Sequence, residues 1–197
     1  MVVNDEIISW AESRTLTDEI LDKFEPLDVK ALAEIKTTTG VFALSYEGEE
    51  LGFGLWNSKG PKIVFVAGAG SEALRHLESG RTGYSTLRRS LAALLCEKYN
   101  LLPIPRTLDE SDADRFDNYA LAAVSDDILT NWIQKNMKIA ILPLAKEVVN
   151  ATKQGLIDYN VPLFNLQNNP ANNYGAEIKK WRKKCAAKAK ENINKKI

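Results

Sequence analysis

Apolar residues recur along this chain in two rhythms, one of helices and one of strands. The spacing Leu87, Leu91, Leu94, Leu95 lays one buried stripe on a helix over 86–99. Ser85 is its natural N-cap, because a serine hydroxyl accepts a bond from one of the first free backbone N–H groups. The same period predicts two or three short helices over 1–36, with Thr17 capping TDEILDKF and Pro26 opening PLDVKALAEI. A short helix is expected over 72–77. Ser125 is read as the cap of SDDILTNWIQKN, whose Ile128, Leu129, Trp132 and Ile133 face inward. A further helix over 144–159 turns Val148, Val149, Thr152, Leu156 and Ile157 inward. A last one, about 175–193, carries Ile178, Trp181, Cys185 and Ala189 on one stripe and lysines elsewhere.

Strands are predicted over 41–46, 62–67 and 137–142. The unbroken apolar run Ile63-Val64-Phe65-Val66-Ala67 predicts burial on both faces and hence a central place in the sheet. A glycine-interrupted return strand is expected over 51–56, between turns at 47–50 and 57–61. Two prolines restrict 102–106 to an edge segment. An acidic loop covers 107–117, a short strand 118–124, an extended segment 162–166 and an amide-rich loop 167–173. The fold expected is mixed α/β (α+β), a small mixed or antiparallel central sheet flanked by helices. It divides into a helical extension, 1–36, and a domain, 37–197, ending in a basic helix.

Length and composition, 197 residues with 45% hydrophobic, suit one large domain or one with extensions. The formal net charge of zero gives no global attraction to nucleic acid or membrane. Charge is unevenly placed, however. From Ala176 onward nine Lys or Arg face only Glu177 and Glu191, so the tail is about +7 and the remainder about −7. No apolar run approaches the roughly 18 residues of a membrane helix, and the start, MVVNDEIISW, is acidic. The expectation is a cytoplasmic chain without a membrane partner. Cys96 reads as a small core residue, and neither it nor Cys185 has metal-ligand spacing.

The chemistry gathers at 76–95, HLESGRTGYSTLRRSLAALL. A Gly-rich turn, 80–83, leads into the Ser85 cap and brings Arg81, Arg88 and Arg89 to a helix N-terminus. Arg88 and Arg89 oppose the helix dipole there. Two readings stand: a phosphate-binding corner, or a capped core helix with solvated arginines.

In its order of motifs the chain resembles the GIY-YIG nuclease superfamily, in particular bacterial members with an SGRTG-x-STLRRSL segment, matched here at 79–91. The likeness runs from about Gly40 to Ala189 through the GVF strand, a second strand, HLESGRTGYSTLRRSLAALL, the NY at 118–119, LTNWIQKNM and PLFNL. It implies phosphodiester hydrolysis with a base, positive charge on the phosphoryl oxygens and a carboxylate-held divalent metal. It also implies where those groups should be. The tyrosine of the first motif falls on Phe42 and that of the second on Phe65, neither of which has a hydroxyl. The family histidine falls on His76, and the arginine site near Ser71, with Arg75 able to substitute only from another point on the helix. The closing asparagine falls on Asn165, and counting back from it puts the metal-binding glutamate on Lys153. Glu147 is nearly two turns from that position and faces elsewhere.

The resemblance therefore implies a degenerate member: His76 and Asn165 survive and four positions lose the needed chemistry. From the residues alone, His76 is a hydrogen-bonded structural histidine, Asn165 holds a turn, and Phe42 and Phe65 fill the core. Lys153 either touches a phosphate in place of a metal or is a solvated helix lysine. The basic tail is either a nucleic-acid contact or an amphipathic helix packed through Trp181. The leading expectation is a non-catalytic protein that binds DNA or a protein partner through Arg75, Arg81, Arg88, Arg89 and Lys153. One alternative is an active DNA endonuclease, the only reading that calls for a cofactor, Mg2+ or Mn2+. The other is a protein-interaction, immunity or regulatory module using loop 107–117 and helices 1–36.

Overall fold

A computed structural model describes residues 8–48, 51 and 62–193. Apart from Leu51, the strand expected over 51–56 and the turn expected over 57–61 lie outside the described residues, as does most of MVVNDEIISW. The chain forms two compact units, one of Met1–Leu74 and Gln134–Asn173, the other of Arg75–Ile133 and Tyr174–Ile197.

The first unit opens with α1 (Trp10–Asp22). Its cap is Ser9, whose hydroxyl accepts from the Glu12 N–H at 3.2 Å while the Glu12 carboxylate accepts from the Ser9 N–H at 2.7 Å. Thr17, expected as a cap, lies inside this helix, and its hydroxyl donates to the Ser13 carbonyl at 2.8 Å. Pro26 belongs to the two-residue strand β1 (Glu25–Pro26) rather than to a helix start. The cap of α2 (Val29–Thr37) is Asp28, accepting from the Ala31 N–H. Ser9, through its reciprocal bonds with Glu12, and Asp28, through the Ala31 N–H, each satisfy an N–H that would otherwise be orphaned, and the helices start there.

The antiparallel sheet has the order β1–β6–β2–β3, with β2 (Gly40–Tyr46), β3 (Lys62–Gly68) and β6 (Met137–Pro143). The central strand is β2, buried at every position. Among the described residues β3 stands at the end of the sheet, so its expected central place is corrected. Ile63, Val64, Phe65 and Val66 are buried nonetheless, and the segment after α5 (Val149–Asn160) covers the strand's other edge, with the Phe164 N–H donating to the Val64 carbonyl at 2.9 Å. Gly40 is required by the sheet itself, since a Cβ there would collide with the Leu142 carbonyl oxygen on β6. Val41, Ala43, Val66, Leu142, Leu156 and Ile157 form the core together with Ile20. A 3-10 turn over Lys146–Val148 precedes α5, which leaves Val148 exposed rather than inward as expected.

The second unit contains α3 (Thr86–Leu95), the ladder of β4 (Pro103–Ile104) and β5 (Ala120–Leu121), most of α4 (Ala123–Asn136), and α6 (Gly175–Glu191). Here α4 starts two residues before Ser125. That hydroxyl accepts from the Leu102 N–H at 2.9 Å and so anchors the chain entering β4 instead of capping. On α6, Ile178, Cys185 and Ala189 are buried as the stripe predicts. Trp181 is half-buried under the Lys184 ammonium, which stands 3.9 Å from its ring centre. The Asn192 side chain donates to the Pro103 carbonyl at 2.9 Å and ties the end of α6 to β4. The architecture is the mixed α/β one expected, with the sheet antiparallel throughout.

Candidate functional site

In the second unit the signature segment folds inward. Short 3-10 turns over Ser71–His76 and Thr82–Tyr84 deliver the chain to Ser85, which caps α3 by accepting from the Arg88 N–H at 3.1 Å. The same hydroxyl lies 2.8 Å from His76 Nδ1. His76 is buried, and its pKa is lowered to about 3, first by burial and then by the charges of Arg75, Arg88 and Arg89. Its ring is therefore neutral at physiological pH and fixes the cap of α3.

Arg88 has no solvent exposure. Its Nη2 donates to Asp126 Oδ1 at 2.8 Å, to the Asp126 carbonyl at 3.1 Å and to the Thr130 hydroxyl at 2.8 Å. Nε donates to the Thr82 hydroxyl at 3.1 Å, and that hydroxyl in turn donates to Asp126 Oδ1. Arg89 is also buried: Nη1 donates to the Gly83 carbonyl at 2.7 Å, and its own carbonyl accepts from the Tyr119 hydroxyl at 2.5 Å. Burial, then the nearby Arg182 charge, with Arg106 adding to it, pulls the Arg89 pKa down to about 10, while Tyr119 opposes the fall. The expectation that Arg88 and Arg89 meet solvent or a phosphate is thus corrected, because their guanidiniums are taken up in holding α3 to the turn before it and to α4. Arg75 and Arg81 are exposed.

Asp126 is the residue the sequence reading missed. The signal was present: Asp126 shares an inward i, i+3, i+4, i+7 stripe with Leu129, Thr130 and Ile133, and a carboxylate on such a stripe needs a buried cation.

In the first unit, Phe42 and Phe65 lie on the paired strands β2 and β3, both buried, with ring centres 6.0 Å apart and tilted by 58°. Asn165 clamps β3. Its Oδ1 accepts from the Val66 N–H at 2.9 Å and its Nδ2 donates to the Val66 carbonyl at 2.8 Å, so the side chain imitates a paired strand residue. Lys153, on α5, is half-buried, and its ammonium donates to Asn150 Oδ1 at 3.2 Å. An ammonium at that position does not fit a divalent cation, which it would repel. Among the described residues no group of three or more His, Cys, Asp or Glu is arranged to hold a metal. Also among the described residues, no helix is long and apolar enough to cross a membrane.

Comparison with curated proteins and with solved structures finds no match. The family comparison does. Residues 58–184, which carry β3, the signature turn, α3, α5 and Asn165, match the GIY-YIG catalytic domain, and the chain belongs to that family.

Proposed function

We propose that this chain is a DNA-binding GIY-YIG protein whose hydrolytic chemistry has been lost. The observation that carries the reading is the pair Phe42 and Phe65, buried ring against ring where the family resemblance calls for two tyrosines. A phenyl ring neither activates water nor donates to a phosphoryl oxygen. Lys153 at the carboxylate position supports the same reading, since an ammonium cannot ligate the cation that a carboxylate would hold. Binding survives the loss of chemistry because it needs only cations facing solvent. Arg75 and Arg81 in the second unit are exposed, as are Lys179, Lys180, Lys183 and Lys184 on α6. Lys153 in the first unit is a separate candidate contact. A protein partner is the second reading, favoured by Leu108, which stands 75% exposed within the acidic loop 107–117.

Fluorescence anisotropy with a labelled DNA duplex at increasing salt, run beside plasmid cleavage with Mg2+ or Mn2+, tests the proposal. Binding that weakens steeply with salt, without cleavage, is the expected outcome. Chelator-sensitive cleavage would restore the nuclease reading, and absence of binding at low salt would leave the protein-partner reading.

A further inference from the structure

The turn before α3 leaves one large ring outside. Thr82, Gly83 and Ser85 are buried, yet Tyr84 between them is 59% exposed. The backbone on either side of that ring is fixed. The Gly83 carbonyl accepts from Arg89 Nη1 at 2.7 Å, the Thr82 hydroxyl accepts from Arg88 Nε at 3.1 Å, and the Ser85 hydroxyl caps α3. The Tyr84 N–H donates to the Arg81 carbonyl at 2.9 Å, closing a 3-10 turn that makes neighbours of these two exposed residues. Arg106 backs the ring. Its stem packs so closely on the turn that a Cβ on Gly83 would stand 2.8 Å from Arg106 Cγ, and its guanidinium carbon lies 5.7 Å from the Tyr84 ring centre. Asp112 Oδ2 accepts from Arg106 Nε at 3.1 Å and from Nη2 at 2.5 Å, so the Arg106 charge is already matched. Arg81 remains as the exposed cation beside the ring.

We propose that Tyr84 is a stacking platform for an unpaired DNA base, with Arg81 taking a neighbouring phosphate. The inference rests on the DNA-binding reading above and narrows its substrate to DNA that carries single-stranded nucleotides. Two physical facts point to that class. The bases of a duplex already stack on one another, so a protein ring meets the face of a base only where a strand is unpaired or ends. Stacking needs only a π-face, which every base has, so the contact is sequence-tolerant and asks for no hydrogen-bonding partner around the ring. A ring carried on a turn fixed beforehand also loses less freedom on binding than one on a mobile segment.

Fluorescence anisotropy of the full chain is read with three labelled probes: a single-stranded oligonucleotide, the same strand with abasic sugars in place of its central nucleosides, and a blunt duplex. The abasic strand keeps every phosphate and loses only the bases, so it separates stacking from charge. The unaltered chain should hold the normal strand about 5- to 150-fold more tightly than the abasic one. That gap should close in Tyr84→Ala and in Tyr84→Leu, which keeps apolar bulk without a π-face, and survive in Tyr84→Phe. Duplex binding should be the same in all three variants. Equal affinity of the unaltered chain for normal and abasic strands would overturn the proposal and leave the DNA-binding reading standing. So would a Tyr84→Ala chain that still tells the two strands apart, or one that loses duplex binding to the same degree. Failure to bind any of the probes at low salt would overturn both readings.

Discussion

Arg88 and Asp126 form an ion pair at 2.8 Å with 0% and 2% of their side chains exposed. A pair so deeply buried exists for the fold, because neither charge can leave water alone without a cost of several kcal/mol. Asp126→Asn removes the counter-charge while Arg88 stays buried, and should lower stability by about 3–5 kcal/mol in a denaturant titration. Arg88→Met combined with Asp126→Leu should lose much less than the sum of the single changes, because no charge is then stranded.

His76 makes stability depend on pH. The unfolded imidazole titrates near 6.5, whereas burial and three arginines hold the folded one near 3. Between these values the unfolded chain binds one proton more than the folded chain. The contribution is therefore complete above pH 6.5 and is lost as pH falls below it, at about 1.4 kcal/mol per pH unit. Unfolding free energies measured at pH 7, 6 and 5 should show this slope. In His76→Gln it should flatten.

Asn165 acts as a piece of strand. Asn165→Leu leaves the Val66 N–H and carbonyl without this partner and should cost about 1–3 kcal/mol. Hydrogen exchange at the Val66 amide should accelerate in that variant by more than the global loss of stability explains.

DNA binding, if carried by exposed cations, should separate from the buried arginines. Arg75→Glu with Arg81→Glu should weaken duplex binding and flatten its salt dependence by about 0.9 in the logarithmic slope for each phosphate no longer neutralised. Arg89→Met, provided circular dichroism shows it folded, should leave that slope unchanged. A shallower slope in Arg89→Met but not in the double charge reversal would show that the exposed pair is the wrong choice of arginines.

Much of this architecture was legible along the chain. The alternation and apolar runs at 41–46, 62–67 and 137–142 became β2, β3 and β6, and the leucine spacing after Ser85 became α3 with the cap where expected. Those features are local: a hydroxyl beside free N–H groups and a period of residues on one face are written in neighbouring positions. Element starts were less legible, because Ser9 and Asp28 prevail over Thr17 and Pro26 only through the bonds they make once folded.

What sequence alone determined was the class of fold, the cap of α3 and the absence of hydroxyls at Phe42 and Phe65. Only tertiary structure decided what the arginines of the signature segment do. An arginine at the start of a helix looks alike whether it faces water or a carboxylate. The partner that distinguishes the cases, Asp126, stands 38 positions away on another helix. Burial then turns a charge that water would have screened into one that needs a counter-charge within the fold, as Arg88 has in Asp126.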